Sequence, residues 1–246
     1  MNINDLVSAS AARRYLGFNS GVQSSSSAGS SQSAGLQKAE IRIQSQVDKT
    51  NAQLSSFGQL KSNVSNVQLS AQAMAGLNEK SSNNAVKAAA NSFVSSFNAT
   101  VTSAKTTASV TTGTAASSSA TRVGKDMVRA VSDSKATIDS LKNIGFSMQK
   151  DGSLTVDAKK FEAAQLADPA GVKAALAKIG QQVDKTATQE LATSGDVNAS
   201  VASLSQRATV LKNQQTALAG LQQTASASTT GTSSYYGSSL LAAYGG

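Results

Sequence analysis

The chain has 246 residues and a net charge of +8, with 4% aromatic and 15% charged residues and no tryptophan, cysteine or histidine. Without cysteine there is no disulfide framework and no thiolate metal site; without histidine the imidazole base and the usual ligand of zinc and iron sites are missing. Glu40, Asp48, Glu79, Asp139, Glu162, Asp184 and Glu190 are dispersed rather than paired as general acid and base would need, so neither an enzyme nor a cofactor is expected.

Alanine, serine and threonine fill much of the chain, which suits a thin core of small side chains between packed helices. The single proline permits long uninterrupted helices. A pI near 9.7 invites a nucleic-acid reading. Lysine and arginine are scattered, however, and the densest groups, Arg13-Arg14 and Lys159-Lys160, have no interleaved aromatics. Phosphate binding needs a clustered stripe, so nucleic acid is not an expected partner. No run approaches the ~18 apolar residues of a membrane span, and none is expected. Met1 to Gly21 lacks the apolar core of a Sec signal peptide, which implies a cytosolic chain or export by another route.

Residues 1–34, with a serine-rich tract from Ser20 to Ser33, read as a disordered tail. Residues 35–79 read as one long helix. Its Ile43, Val47, Leu54, Phe57, Leu60, Val64 and Val67, with Thr50 filling a place, alternate three and four apart as a heptad seam. The extra three-residue step at Leu54, Phe57 and Leu60 is a stammer. So narrow a stripe needs a partner helix. After a break at Asn78 to Asn84, Val86, Ala90, Phe93, Phe97, Val101 and Ala104 share one helical face. A loop from Ala108 to Ala120 and a third helix through Val123, Met127, Val131, Ile138 and Leu141 are expected next.

Phe146 to Gln149 and Leu154 to Val156 alternate apolar and polar residues around Asp151-Gly152, predicting a hairpin near 145–157 with a tight I′ turn. Asp157 reads as the N-cap of a short helix through Phe161. Asp168 caps the next helix with Pro169 at its first position. Val172, Ala175, Leu176 and Ile179 are its stripe. Beyond Gly180 a further helix through Val183, Ala187 and Leu191 is expected to end at Gly195 as a C-cap. The candidate head core is Phe93, Phe97, Ile144, Phe146, Leu154, Val156, Phe161, Val172 and Leu176.

Residues 196–227 read as the last helix, with a second seam of Val197, Val201, Leu204, Leu211 and Leu218. Residues 228–246 read as a flexible tail whose Tyr235, Tyr236, Leu240 and Leu241 suit docking into a partner groove. The simplest mutual solution for the two seams is an antiparallel coiled coil of the N- and C-terminal helices. Each buried leucine or valine there contributes roughly 1.5–3 kcal/mol. The expected fold is therefore mainly α: this long coiled coil, with a small helical head over 84–195 that contains one β-hairpin.

The ordered string Ile144, Gly145, Asp151, Gly152, Leu154, Val156, Asp157, Asp168, Pro169, Val172 and Leu176 resembles the flagellar filament cap family (hook-associated protein 2, FliD). Phe93 to Asn98 is similar to that family's "F-V-x-x-Y-N" stretch, with Phe97 in place of tyrosine, and the resemblance spans about residues 36–241. It implies a structural axial protein that oligomerises at the filament tip and guides flagellin assembly, with a part in cell adhesion. It further implies an extracellular place on the bacterial flagellum, reached without a Sec signal peptide. The implied partners are further copies of the chain, flagellin or other hook-associated proteins, and an export chaperone. The family carries a large, mostly β insertion after its first long helix; here only Asn78 to Asn84 stand there, so the chain resembles a short form. The resemblance also admits a filament or hook–filament junction subunit, and the residues alone also fit a secreted basic coiled-coil binding module.

Overall fold

Apolar residues spaced three and four apart, with one proline to interrupt them, fold here as helices joined by short turns. The computed structural model describes residues 28–133 and 135–244, with side chains over 34–133 and 137–224. In chain order the elements are α1 (Ala28–Ala75), α2 (Asn83–Val110), α3 (Ala115–Ser132), α4 (Lys135–Asn143), β1 (Phe146–Met148), β2 (Leu154–Val156), α5 (Ala158–Ala167), α6 (Pro169–Leu191) and α7 (Asp196–Tyr244). The fold is mainly α with one antiparallel hairpin.

Helix starts follow local chemistry. The Ser82 side chain accepts from the Ala85 N–H at α2, Asp157 from Lys159 and Lys160 at α5, and Asp168 from Gly171 at α6, where Pro169 occupies the first position. Elsewhere the helices run further than composition suggests. The expected loop at 108–120 shrinks to Thr111–Thr114, because hydroxyls bond back to helical carbonyls: Thr111 to Thr107 at 2.6 Å, Thr121 to Ser117 at 2.8 Å. The expected third helix is two, α3 and α4. Gly180 interrupts nothing, and α6 passes straight through it. Gly195 is not a C-cap: Ala192 ends α6, and Gly195 lies at the start of α7, where a Cβ would sit 2.3 Å from the Gln189 carbonyl. Helical backbone begins at Ala28 and continues to Tyr244, beyond the expected limits of 35 and 227. The rest of the expected N-terminal tail lies outside the described residues, as do the side chains of Tyr235, Tyr236, Leu240 and Leu241.

The described residues divide into two compact units, one formed by 28–49 with 208–244, the other by residues within 50–207. In the larger unit α1 and α2 run antiparallel. Ser56 and Thr107 share a hydroxyl hydrogen bond of 2.9 Å, Thr100 donates to the Asn63 carbonyl at 2.9 Å, and Ser70 and Ser96 share one of 2.5 Å. Helix α6 also lies antiparallel to α1, through Gln68 to Thr188 at 2.8 Å and Gln72 to Asp184 at 2.9 Å. At Gly180 the two backbones touch: an added Cβ would lie 2.4 Å from the Ala71 oxygen and 2.7 Å from the Ala75 nitrogen. The core gathers Phe57, Leu60, Val64 and Val67 of α1 with Phe93, Phe97, Val123, Met127, Leu176, Ile179 and Val183.

In the smaller unit the first and last helices pair antiparallel. Gln215 donates to Gln44 at 2.8 Å and Gln222 to Glu40 at 3.0 Å, so the register climbs one helix as it descends the other. Leu211 and Leu218 are buried there, while Ile43 and Val47 are half-buried. The expected seam is thus shared between the units. Leu54, Phe57, Leu60, Val64, Val67, Val197, Val201 and Leu204 lie in the larger one, because from Thr50 onward α1 has α2 and α6 as additional neighbours. None of the described helices is long and apolar enough to cross a membrane.

Candidate assembly surfaces

The hairpin is held to the helices from one face and from its edge, while Ser147 and Thr155 on the other face are exposed. Its register pairs Phe146 with Val156, Ser147 with Thr155 and Met148 with Leu154, putting Phe146 and Leu154 inward. The Phe146 ring meets Phe161 of α5 edge-on, with centroids 5.8 Å apart, and Phe93 and Phe97 of α2 lie 5.7 Å apart beneath. Ile144, Phe161, Val172 and Leu176 are buried with them, and Val156 is half-buried.

The turn is not the expected two-residue I′ type. Gln149 donates to the Ser153 carbonyl at 2.8 Å and Gly152 to the Gln149 carbonyl at 3.0 Å, leaving a three-residue loop with Gly152 at φ +83°. Glycine at that third position is what a three-residue hairpin loop requires. Exposed Asp151 accepts from the Ser153 N–H at 2.9 Å and from its hydroxyl at 2.6 Å, which holds its carboxyl below the usual aspartate range. Lys105 of α2 donates to the Asp151 carbonyl.

At the open edge of β2, Asn98 of α2 takes the place of a third strand. Its Nδ2 donates to the Leu154 carbonyl at 2.8 Å, and its Oδ1 accepts from the Leu154 N–H at 2.7 Å. Sequence reading placed Asn98 beside Phe97 but gave it no task. A polar residue set between core-packed Val94 and Val101, its i−4 and i+3 neighbours on the helix face, is the signal that could have found it.

The helix pair of the smaller unit presents a different surface. Beyond the seam residues Ile43, Val47, Leu211 and Leu218, it leaves Ile41 at 69%, Val210 at 48% and Leu221 at 41% exposure. Neighbouring polar residues Glu40, Gln44, Ser45 and Asp48 line a shallow groove beside Ile41. A second shallow groove, between α1 and α2, is lined by Ser56, Gln59, Asn63, Asn98, Thr102 and Thr106.

Charge is concentrated where α6 ends and α7 begins. Arg122 of α3 grips Asp196 with two bonds, Nε to Oδ2 at 2.8 Å and Nη2 to Oδ1 at 2.5 Å, and also reaches Ser119 at 3.0 Å. That hydrogen-bonded pair raises the guanidinium pKa and lowers that of Asp196. Glu190 beside it is only 7% exposed, and burial, reinforced by Asp196 and Asp126, pushes its carboxyl up to about 7. Among the described residues no three metal-ligating side chains are gathered.

The fold is a helical scaffold that carries one pinned β-hairpin. The family model of the C-terminus of flagellar hook-associated protein 2 matches residues 60–233, and the chain belongs to that family. It is thereby a structural protein of the bacterial flagellum with a cap or hook-associated role. Neither the curated proteins nor the solved structures give a match.

Proposed function

We propose that the chain assembles with further copies of itself at the tip of a flagellar filament and guides incoming flagellin subunits. The family match over 60–233 carries this reading. The helix pair supports it: apolar Ile41, Val210 and Leu221 stand in solvent on two helices whose shared seam is narrow, the pattern of a surface that another helix covers. In this reading the larger unit contacts neighbouring subunits, and the terminal helices, with Tyr235, Tyr236, Leu240 and Leu241, dock on the filament end. The chain reaches the cell exterior by a route that reads no Sec signal, accompanied by an export chaperone, and meets flagellin or another hook-associated protein there.

Negative-stain microscopy of the purified chain, alone and mixed with flagellar filaments from the same source, tests this. Small closed rings, or density confined to filament ends, are expected. Long fibres, or coating along whole filaments, would instead make the chain a filament or junction subunit. Neither assembly nor filament binding would leave a secreted coiled-coil binding module.

A further inference from the structure

The joint between α6 and α7 places an acidic side chain where helix electrostatics disfavours one. Glu190 stands in the last turn of α6, at the negative end of the helix dipole, and is buried. Its carboxyl accepts from the backbone N–H of Asp196, the first residue of α7, so one side chain bridges the break at Ala192–Gly195. Its Oε2 has no hydrogen-bond partner. The charged groups facing it are Asp196 of α7 and Asp126 and Arg122 of α3. Arg122 is committed to Asp196 by two bonds, and Asp126 is bonded to Arg129 at 3.1 Å. Asn98-like neutral bridging exists here too, since Asn198 of α7 donates to the Leu191 carbonyl at the end of α6.

We propose that Glu190 is a proton-operated latch on the α6–α7 joint, closed while its carboxyl is protonated and loosened when it ionises. A neutral carboxyl leaves Oε2 dry without a charge to solvate and removes repulsion from Asp126 and Asp196. Ionisation releases one proton to solvent and leaves a buried anion whose Oε2 has no donor but incoming water, which requires the joint to open. The elevated carboxyl pKa agrees in direction with this geometry.

Hydrogen exchange of the full chain, followed by mass spectrometry from pH 5 to 8.5 and corrected for intrinsic exchange, tests the latch. The ratio of exchange at joint amides 188–200 to that at core amides 93–104 should rise more than about tenfold with pH, each pKa unit being a factor of ten in the opening equilibrium. In Glu190→Gln the ratio should stay level. A wild-type ratio that stays level, or one that rises equally in E190Q, overturns the proposal. Should E190Q fail to fold, carbon-13 NMR titration of the wild-type Glu190 carboxyl decides. A midpoint near 7 supports the latch, and one at the ordinary glutamate value of about 4.3 overturns it.

Discussion

At Asn98 one amide satisfies both the N–H and the C=O of Leu154, whose strand otherwise has a partner on one side alone. Asn98→Ala strands both backbone groups near the core, and a loss of about 1–3 kcal/mol is expected in urea unfolding. A change below about 0.5 kcal/mol would show that water replaces the amide without cost. Gly180→Ala acts by volume instead: its Cβ would fall 2.4 Å from the Ala71 oxygen, and pushing α6 from α1 should destabilise by roughly 1–3 kcal/mol in the same assay. Sequence reading found Asp157 and Asp168 as caps because a cap acts within three residues of itself. Asn98 finds its partner 56 residues away, and nothing local marks that pairing. Gly180 misleads for the same reason, since a glycine spared for a distant backbone looks like one placed to end a helix.

Between α1 and α2 the contacts form a ladder with two kinds of rung. Ser56, Asn63 and Ser70 recur at every seventh residue of α1 and meet Thr107, Thr100 and Ser96. Apolar Phe57, Leu60, Val64 and Val67 run alongside. The apolar rungs supply most of the stability and the hydroxyl rungs oppose slippage. Phe97→Ala should therefore cost ~3–5 kcal/mol. Thr100→Val, nearly equal in volume, should change stability by less than about 1 kcal/mol. Equal losses for the two in denaturant unfolding would contradict this division. The heptad spacing that reveals α1 in the sequence states only that the stripe must be covered. It cannot tell a two-helix coil from the edge of a larger core, which is why Phe57 to Val67 were expected in a coil and lie in the larger unit. Serine and threonine hide helix from composition as well, because their hydroxyls can bond within the helix as readily as they can break it.

The folded chain as a whole carries the pH signature of its charged joint. Between 4.5 and about 7, folded Glu190 keeps a proton that the unfolded chain has released. Its contribution is complete below 4.5 and disappears as pH rises through 7, a change on the order of 3 kcal/mol. Asp196 works in the opposite direction. Its carboxyl is lowered from 3.8 by Arg122, so its contribution is present above that value and lost as pH falls through the folded one. Stability should accordingly peak on the acid side of neutrality. Urea midpoints at pH 5, 6.5 and 8 should decline in that order for the wild type and flatten in Glu190→Gln. A midpoint that climbs towards pH 8 would contradict the assignment.

Residues Gly76 to Ser82 join two antiparallel helices already fixed by their own rungs and, at Ser82, by a cap. Loop closure there adds only about 0.6 kcal/mol for each doubling of length. This turn is thus the molecule's natural grafting point: a reporter domain or an epitope spliced between Asn78 and Lys80 would display itself while the scaffold on either side kept its register.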